Sequence, residues 1–179
     1  MPRCKLLLCA LPSVLLALGL VSVRSHAADG VPTPPRPCGS PQHHQFDFWI
    51  GDWSVTTPDG KFAGTSSITR LLGDCVIQEH WAGSRGGKGE SYNMYDAGRD
   101  LWHQTWVDDS GSMLLLEGHL EGGKMVLSGV QGGKGKLVLN RITWTPVKAG
   151  EVEQLWESSA DNGKTWRQQF LGIYRPLHK

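Results

Sequence analysis

The sequence predicts an all-β fold, an antiparallel up-and-down barrel of about ten strands with a short N-terminal helical turn. Three observations predict it. Turn dipeptides recur at short intervals: Asp59-Gly60, Gly86-Gly87, Asp109-Ser110-Gly111, Gly122-Gly123, Gly132-Gly133 and Asn162-Gly163. The segments between them run about six to ten residues, and many alternate apolar with polar side chains. No segment holds a 3.6-residue amphipathic period long enough for a sizeable helix. Consecutive hairpins favour closure, because a closed sheet has no exposed edges.

The chain has 179 residues, of which 1–27 read as a secretory signal peptide. Arg3 and Lys5 form a charged start, Leu6 to Val23 is apolar, and Ser25-His26-Ala27 offers small residues for cleavage. An uncleaved anchor is the alternative, since the apolar run is about long enough to span a bilayer. Pro12 and the small-residue site favour cleavage. Residues 28–41, with five prolines in fourteen positions, read as an extended tether. Ser40-Pro41 fits an N-cap followed by proline at the first helical position, so a short helical turn is expected over 42–48. The barrel domain is placed at 42–179. Its strands are expected near 53–57, 61–70, 75–82, 90–95, 101–108, 112–119, 124–130, 136–145, 151–158 and 165–174.

Composition limits the function. The leader carries Arg3, Lys5 and Arg24 and no acidic residue, which leaves 15 basic side chains against 17 acidic ones. No basic stripe is visible, so nucleic acid is not an expected partner. No second long apolar run follows the leader, so no membrane contact is expected after cleavage. A monomer or weak dimer is expected. After cleavage only Cys38 and Cys75 remain; one disulfide is expected in an exported protein, with two free buried thiols as the alternative. No His or third Cys stands at ligand spacing from either, so no metal site and no cofactor are implied.

Alternation assigns side chains to faces. On 75–81, Cys75, Ile77, Glu79 and Trp81 share the bulkier face and should point inward. On 101–109, Trp102, Gln104, Trp106 and Asp108 share the face expected inside. Val152, Gln154, Trp156 and Ser158 align, as do Ser91, Asn93 and Tyr95, although for this last strand apolar content does not choose the face. The interior thus mixes tryptophans with acids and amides. Unpartnered polar groups cost about 1 kcal/mol to several each, so these side chains satisfy one another or face a wet cavity. A cavity of that character suits a small polar or aromatic ligand, with Glu79, Trp81, Asn93, Trp102, Gln104, Trp106, Gln154 and Trp156 as its candidate lining.

The stretch "QFDFWIGDW" at 45–53 places Gly51-Asp52-Trp53 after the helical turn and at the start of the first strand. This resembles the Gly-x-Trp signature of the lipocalin or calycin superfamily. The resemblance implies that Trp53 plugs one end and that Arg175, in "GIYRP", lies across its ring as a cation–π partner worth about 0.5–2 kcal/mol. "HQFDFWIGDWSV", "GDCVIQEHW", "GESYNMYD", "WHQTWVDDSG" and "SSADNGKTW" occur in this order. Together they resemble a family of exported bacterial proteins of unknown function with calycin-like barrels, over about residues 42–175. That resemblance implies a fold and an export route, with the rings of Phe46, Phe48, Trp49 and Trp53 closing one end; it implies no reaction or ligand.

Other motifs read structurally. "SADNGKTW" at 159–166 matches the Asp-box pattern, a hairpin corner repeated in sialidase-like propellers; one copy in a chain of this length reads as a turn clasp. His43-His44 are adjacent and lack further ligands nearby, and His80, His103 and His119 fall on outward faces, so neither a metal nor a haem is expected. The Gly-Gly pairs lie between strands, so they read as turns and not phosphate loops. Two alternatives to a binding barrel stay open: a barrel enzyme with Glu79 and Asp108 as acid and base, and a filled barrel acting through its outer surface as a structural or inhibitor protein.

Overall fold

Ten strands follow one another around a closed barrel in chain order. The computed structural model describes residues 36–133 and 136–178. The signal peptide reading and most of the tether lie outside these residues. The strands are β1 (Gly51–Thr56), β2 (Phe62–Leu71), β3 (Val76–Gly83), β4 (Lys88–Asp96), β5 (Leu101–Asp108), β6 (Met113–Glu121), β7 (Lys124–Gly133), β8 (Lys136–Lys148), β9 (Glu151–Ser159) and β10 (Arg167–Pro176). Each pairs antiparallel with the next, and β1 closes on β10 with Val55 opposite Tyr174. The backbone of every strand therefore has partners on both sides, which is what closure achieves.

The expected helical turn is two short 3-10 turns, Pro41–His44 and Asp47–Trp49. Ser40 stands at the N-cap in extended conformation, but its hydroxyl meets His43 Nδ1 at 2.8 Å and no backbone N–H. His44 Nδ1 lies 2.9 Å from Asp47, and Asp47 in turn pairs with Arg70 on β2. These two histidines therefore brace the entry segment.

That segment plugs one end of the barrel. Phe46 stacks on Trp49 with centroids 4.9 Å apart and meets Trp102 and Trp144 edge-on at 5.6 and 5.1 Å. Trp53 Nε1 donates to the Trp49 carbonyl at 2.9 Å. Met125, Leu127, Val152 and Tyr174 belong to the same buried cluster. Burying each large apolar side chain contributes about 1.5–3 kcal/mol, and ring contacts of this geometry add about 0.5–1.5 kcal/mol. Against this, the indole N–H groups of Trp49 and Trp144 are buried without a partner among the described residues, at about 1–3 kcal/mol each.

Arg175 does not lie over Trp53. In β1, Trp53 points inward and Ser54 outward; Arg175 pairs with Ser54 and follows the inward Tyr174, so it too points outward. There its guanidinium donates to Glu151 at 2.8 Å. The cation–π contact found among the described residues is Arg141 over Trp166, 4.1 Å from the centroid.

Cys38 and Cys75 form a disulfide, with Cα atoms 5.1 Å apart and a sequence separation of 37. It fastens the chain before the plug to the turn between β2 and β3. For a loop of that size the constraint on the unfolded chain is worth about 3–4 kcal/mol.

Candidate functional site

The end of the barrel opposite the plug is hollow. A cavity of about 290 Å³ opens among Glu79, Trp81, Gln104, Trp106, Asp108 and Trp156, with Gln154, Phe170 and Tyr174 also on its wall. The interior is thus packed with side chains at one end and open at the other.

Four ring systems frame the mouth, and small residues set their positions. A Cβ added to Gly89 would fall 2.2 Å from the Trp106 ring, and one added to Gly64 would fall 2.9 Å from the Trp81 ring. Gly89 is opposite Trp81 on β3 and Asp108 on β5, and Gly172 likewise leaves room for the Phe170 ring at 2.7 Å. The rings recline over glycine backbone against the wall. A side chain at these glycines would push them across the lumen. Trp156 is held by its N–H, which donates to Asn140 Oδ1 at 2.9 Å.

Below the rings lies a polar layer. Glu79 is 4 % exposed. Its two oxygens accept from Ser66 Oγ at 2.8 Å and Ser91 Oγ at 3.0 Å. Asn93 donates to Ser91 Oγ at 3.0 Å and to the Ile77 carbonyl at 3.1 Å, and Gln104 donates to Asn93 Oδ1 at 2.7 Å. The Tyr174 hydroxyl donates to Gln154 Oε1. Burial pushes the Glu79 carboxyl up to about 7, against the two serine bonds and the nearby His80, which favour its charged form. Burial, with the Glu79 charge behind it, raises the Tyr174 phenol well above its ordinary value, so it stays a neutral donor.

Asp108 sits at the rim in a different environment. Its carboxylate accepts the Ser110 N–H at 2.9 Å, the Ser110 hydroxyl at 2.5 Å, the Ser112 N–H at 3.2 Å and the Trp106 N–H at 3.3 Å. These bonds, the Ser110 hydroxyl first, hold it below the usual carboxylate range. It closes the β5–β6 turn and fixes Trp106.

Six of the eight residues expected to line a cavity do so: Glu79, Trp81, Gln104, Trp106, Gln154 and Trp156. Asn93 lies beneath, fully buried in the polar layer. Trp102 lies deeper, in the plug, where its N–H donates to Gln45 at 3.0 Å and its ring meets Phe46. Sequence reasoning missed Ser66 and Ser91 as the partners of Glu79, and Tyr174 and Phe170 as wall residues. Alternation along "FAGTSSITR" puts Ser66 on the same face as Ile68, which is the signal that was there to read.

His80 and His103 point outward as expected, toward Glu90 at 3.1 Å and Glu117 at 3.3 Å. No group of three or more metal-ligating side chains stands together among the described residues. The Asp-box turn is a clasp: Ser159 Oγ donates to Asp161 at 2.7 Å, and Asp161 accepts from Thr165 N–H at 2.9 Å. A larger hollow of about 610 Å³ lies on the outer wall near His80, Glu90, Tyr92 and Val107. It is broadly open, so a ligand there would keep much of its surface in water, and the lumen is the better site.

No family model matches the chain, and no curated protein matches it.

Proposed function

We propose that this is an exported, calycin-like barrel that binds a small ligand in its open end. The observation that carries the reading is the cavity itself: three indoles and a phenyl ring around a floor of hydrogen-bonded polar groups. The plug has already closed the other end, so this space is not needed to complete the core. At ~30 Å³ per water it has room for about ten waters, hence for a molecule of about a dozen heavy atoms. The Cys38–Cys75 disulfide supports export, because such bonds persist in oxidising compartments. The Gly51-Asp52-Trp53 stretch over a plugged end supports the calycin assignment.

The test is a tryptophan-fluorescence titration of the protein against polar ring compounds and small amines. A saturable change is expected, and Trp156→Phe should weaken it at least fivefold with the circular dichroism unchanged. Saturable binding that ignores Trp156→Phe would place the ligand elsewhere and refute the proposal.

An acid–base enzyme is the second reading. Glu79, poised near neutrality, and Asp108, held ionised, have their pKa values pushed apart, as acid and base pairs do. The four bonds that tie Asp108 into its turn make it the weaker half of that pair.

A further inference from the structure

The lumen has a bias that the binding reading alone does not contain. Most of its donors are engaged internally: Gln104 Nε2 on Asn93, Trp106 Nε1 on Asp108, Trp156 Nε1 on Asn140 and the Tyr174 hydroxyl on Gln154; the Gln154 amide and the Trp81 N–H on the same wall are neutral donors without a partner among the described residues. The charge that faces the cavity is all of one sign. Gln104 keeps its carbonyl oxygen, Glu79 and Asp108 contribute carboxylates, and no Lys, Arg or His among the described residues lines the space. Glu79 is a buried carboxylate whose two partners are neutral serines, and no Lys, Arg or His among the described residues forms an ion pair with it; His80 nearby turns outward to Glu90. Buried charges are ordinarily paired. The rings of Trp81, Trp106, Trp156 and Phe170 add their electron-rich faces around the same volume, and such faces attract cations.

We propose that the ligand is a small organic cation, a protonated or quaternary amine, caged by Trp81, Trp106, Trp156 and Phe170 and neutralised by Glu79. This rests on the binding reading of the same cavity. The cation supplies the charge that the floor lacks, and the rings exclude water around it. A neutral sugar or heterocycle would bury the Glu79 carboxyl without compensating it.

Two compounds of nearly equal shape separate the ideas: 2-phenylethylamine, protonated at neutral pH, and neutral 2-phenylethanol. Calorimetric titration of the full-length protein, purified without denaturation, is run at pH 7.5 with each compound. The amine is expected to bind at least tenfold more tightly than the alcohol. Glu79→Gln should lower amine affinity at least tenfold and change alcohol affinity less than twofold. A second readout on the unaltered protein does not depend on that variant folding. Amine binding at pH 6.5, measured in buffers of different ionisation enthalpy, should release a fraction of a proton as Glu79 ionises. The groups facing Glu79 are Ser66, Ser91 and Tyr174, with His80 behind it and Asp108 at the rim. Tyr174 stays neutral and Asp108 stays ionised at this pH. Equal binding of the two compounds would overturn the cation proposal and leave the cavity reading standing. No binding of either, at concentrations up to ten millimolar, would overturn both.

Discussion

Substituting Glu79→Gln should flatten the dependence of folding stability on pH. Unfolded, this carboxyl titrates near its ordinary value of 4.5; folded, burial raises it to about 7. The folded state therefore holds the proton more tightly than the unfolded one. Its contribution is fully present below about 4.5, declines as pH rises and is lost once pH passes about 7. A shift of that size corresponds to about 3 kcal/mol, at 1.36 kcal/mol per unit. The substituting glutamine keeps the shape and remains a partner for Ser66 and Ser91, but it does not ionise. The assay is urea unfolding of both proteins at half-unit steps from pH 4 to 8.5. Other titrating groups are common to both, so the difference between the two stabilities isolates residue 79. Wild type should lose about 3 kcal/mol relative to the variant between pH 4.5 and 8. A difference that stays constant within about 0.5 kcal/mol over that range would refute the argument that Glu79 is buried without a counter-charge.

Gly89→Ala should force the Trp106 ring off the wall, costing about 1–3 kcal/mol by overpacking and shrinking the lumen; thermal denaturation and Trp106 side-chain NMR shifts check this. Ser159→Ala removes the hydroxyl that accepts the Gly163 N–H at 2.9 Å and donates to Asp161, so stability should fall by about 1–2 kcal/mol with the lumen unaffected, as read by urea unfolding. Cys38→Ser with Cys75→Ser should cost about 3–4 kcal/mol in the same unfolding assay and leave the far-ultraviolet circular dichroism unchanged.

The sequence and the structure agree on the barrel because the signals for it are local. Glycine pairs mark the hairpins, and alternation marks the strands between them, so all ten strands fall within a few residues of their expected bounds. The inward faces of β3, β5 and β9 were legible for the same reason. Height along the barrel was not. A period of two tells which face a residue takes but not its level, so Trp102 in the plug and Trp106 at the mouth look alike in sequence although they share a strand face. Arg175 shows the other gap. A motif drew it to Trp53, but parity on β10 turns it outward, and parity follows from pairing across the β1–β10 seam, which joins the two ends of the barrel sequence. The glycines under Trp81 and Trp106 likewise act through cross-strand register, which a single sequence does not display.

The central claim is that the open end of the barrel is a binding site. Native mass spectrometry of the protein purified from its own host, with denaturing analysis of whatever is released, tests it most directly. The expected result is a stoichiometric adduct of small mass that is lost from Trp156→Phe and that carries an amine. A protein that arrives empty, and that stays empty through the amine and alcohol titrations, would contradict it.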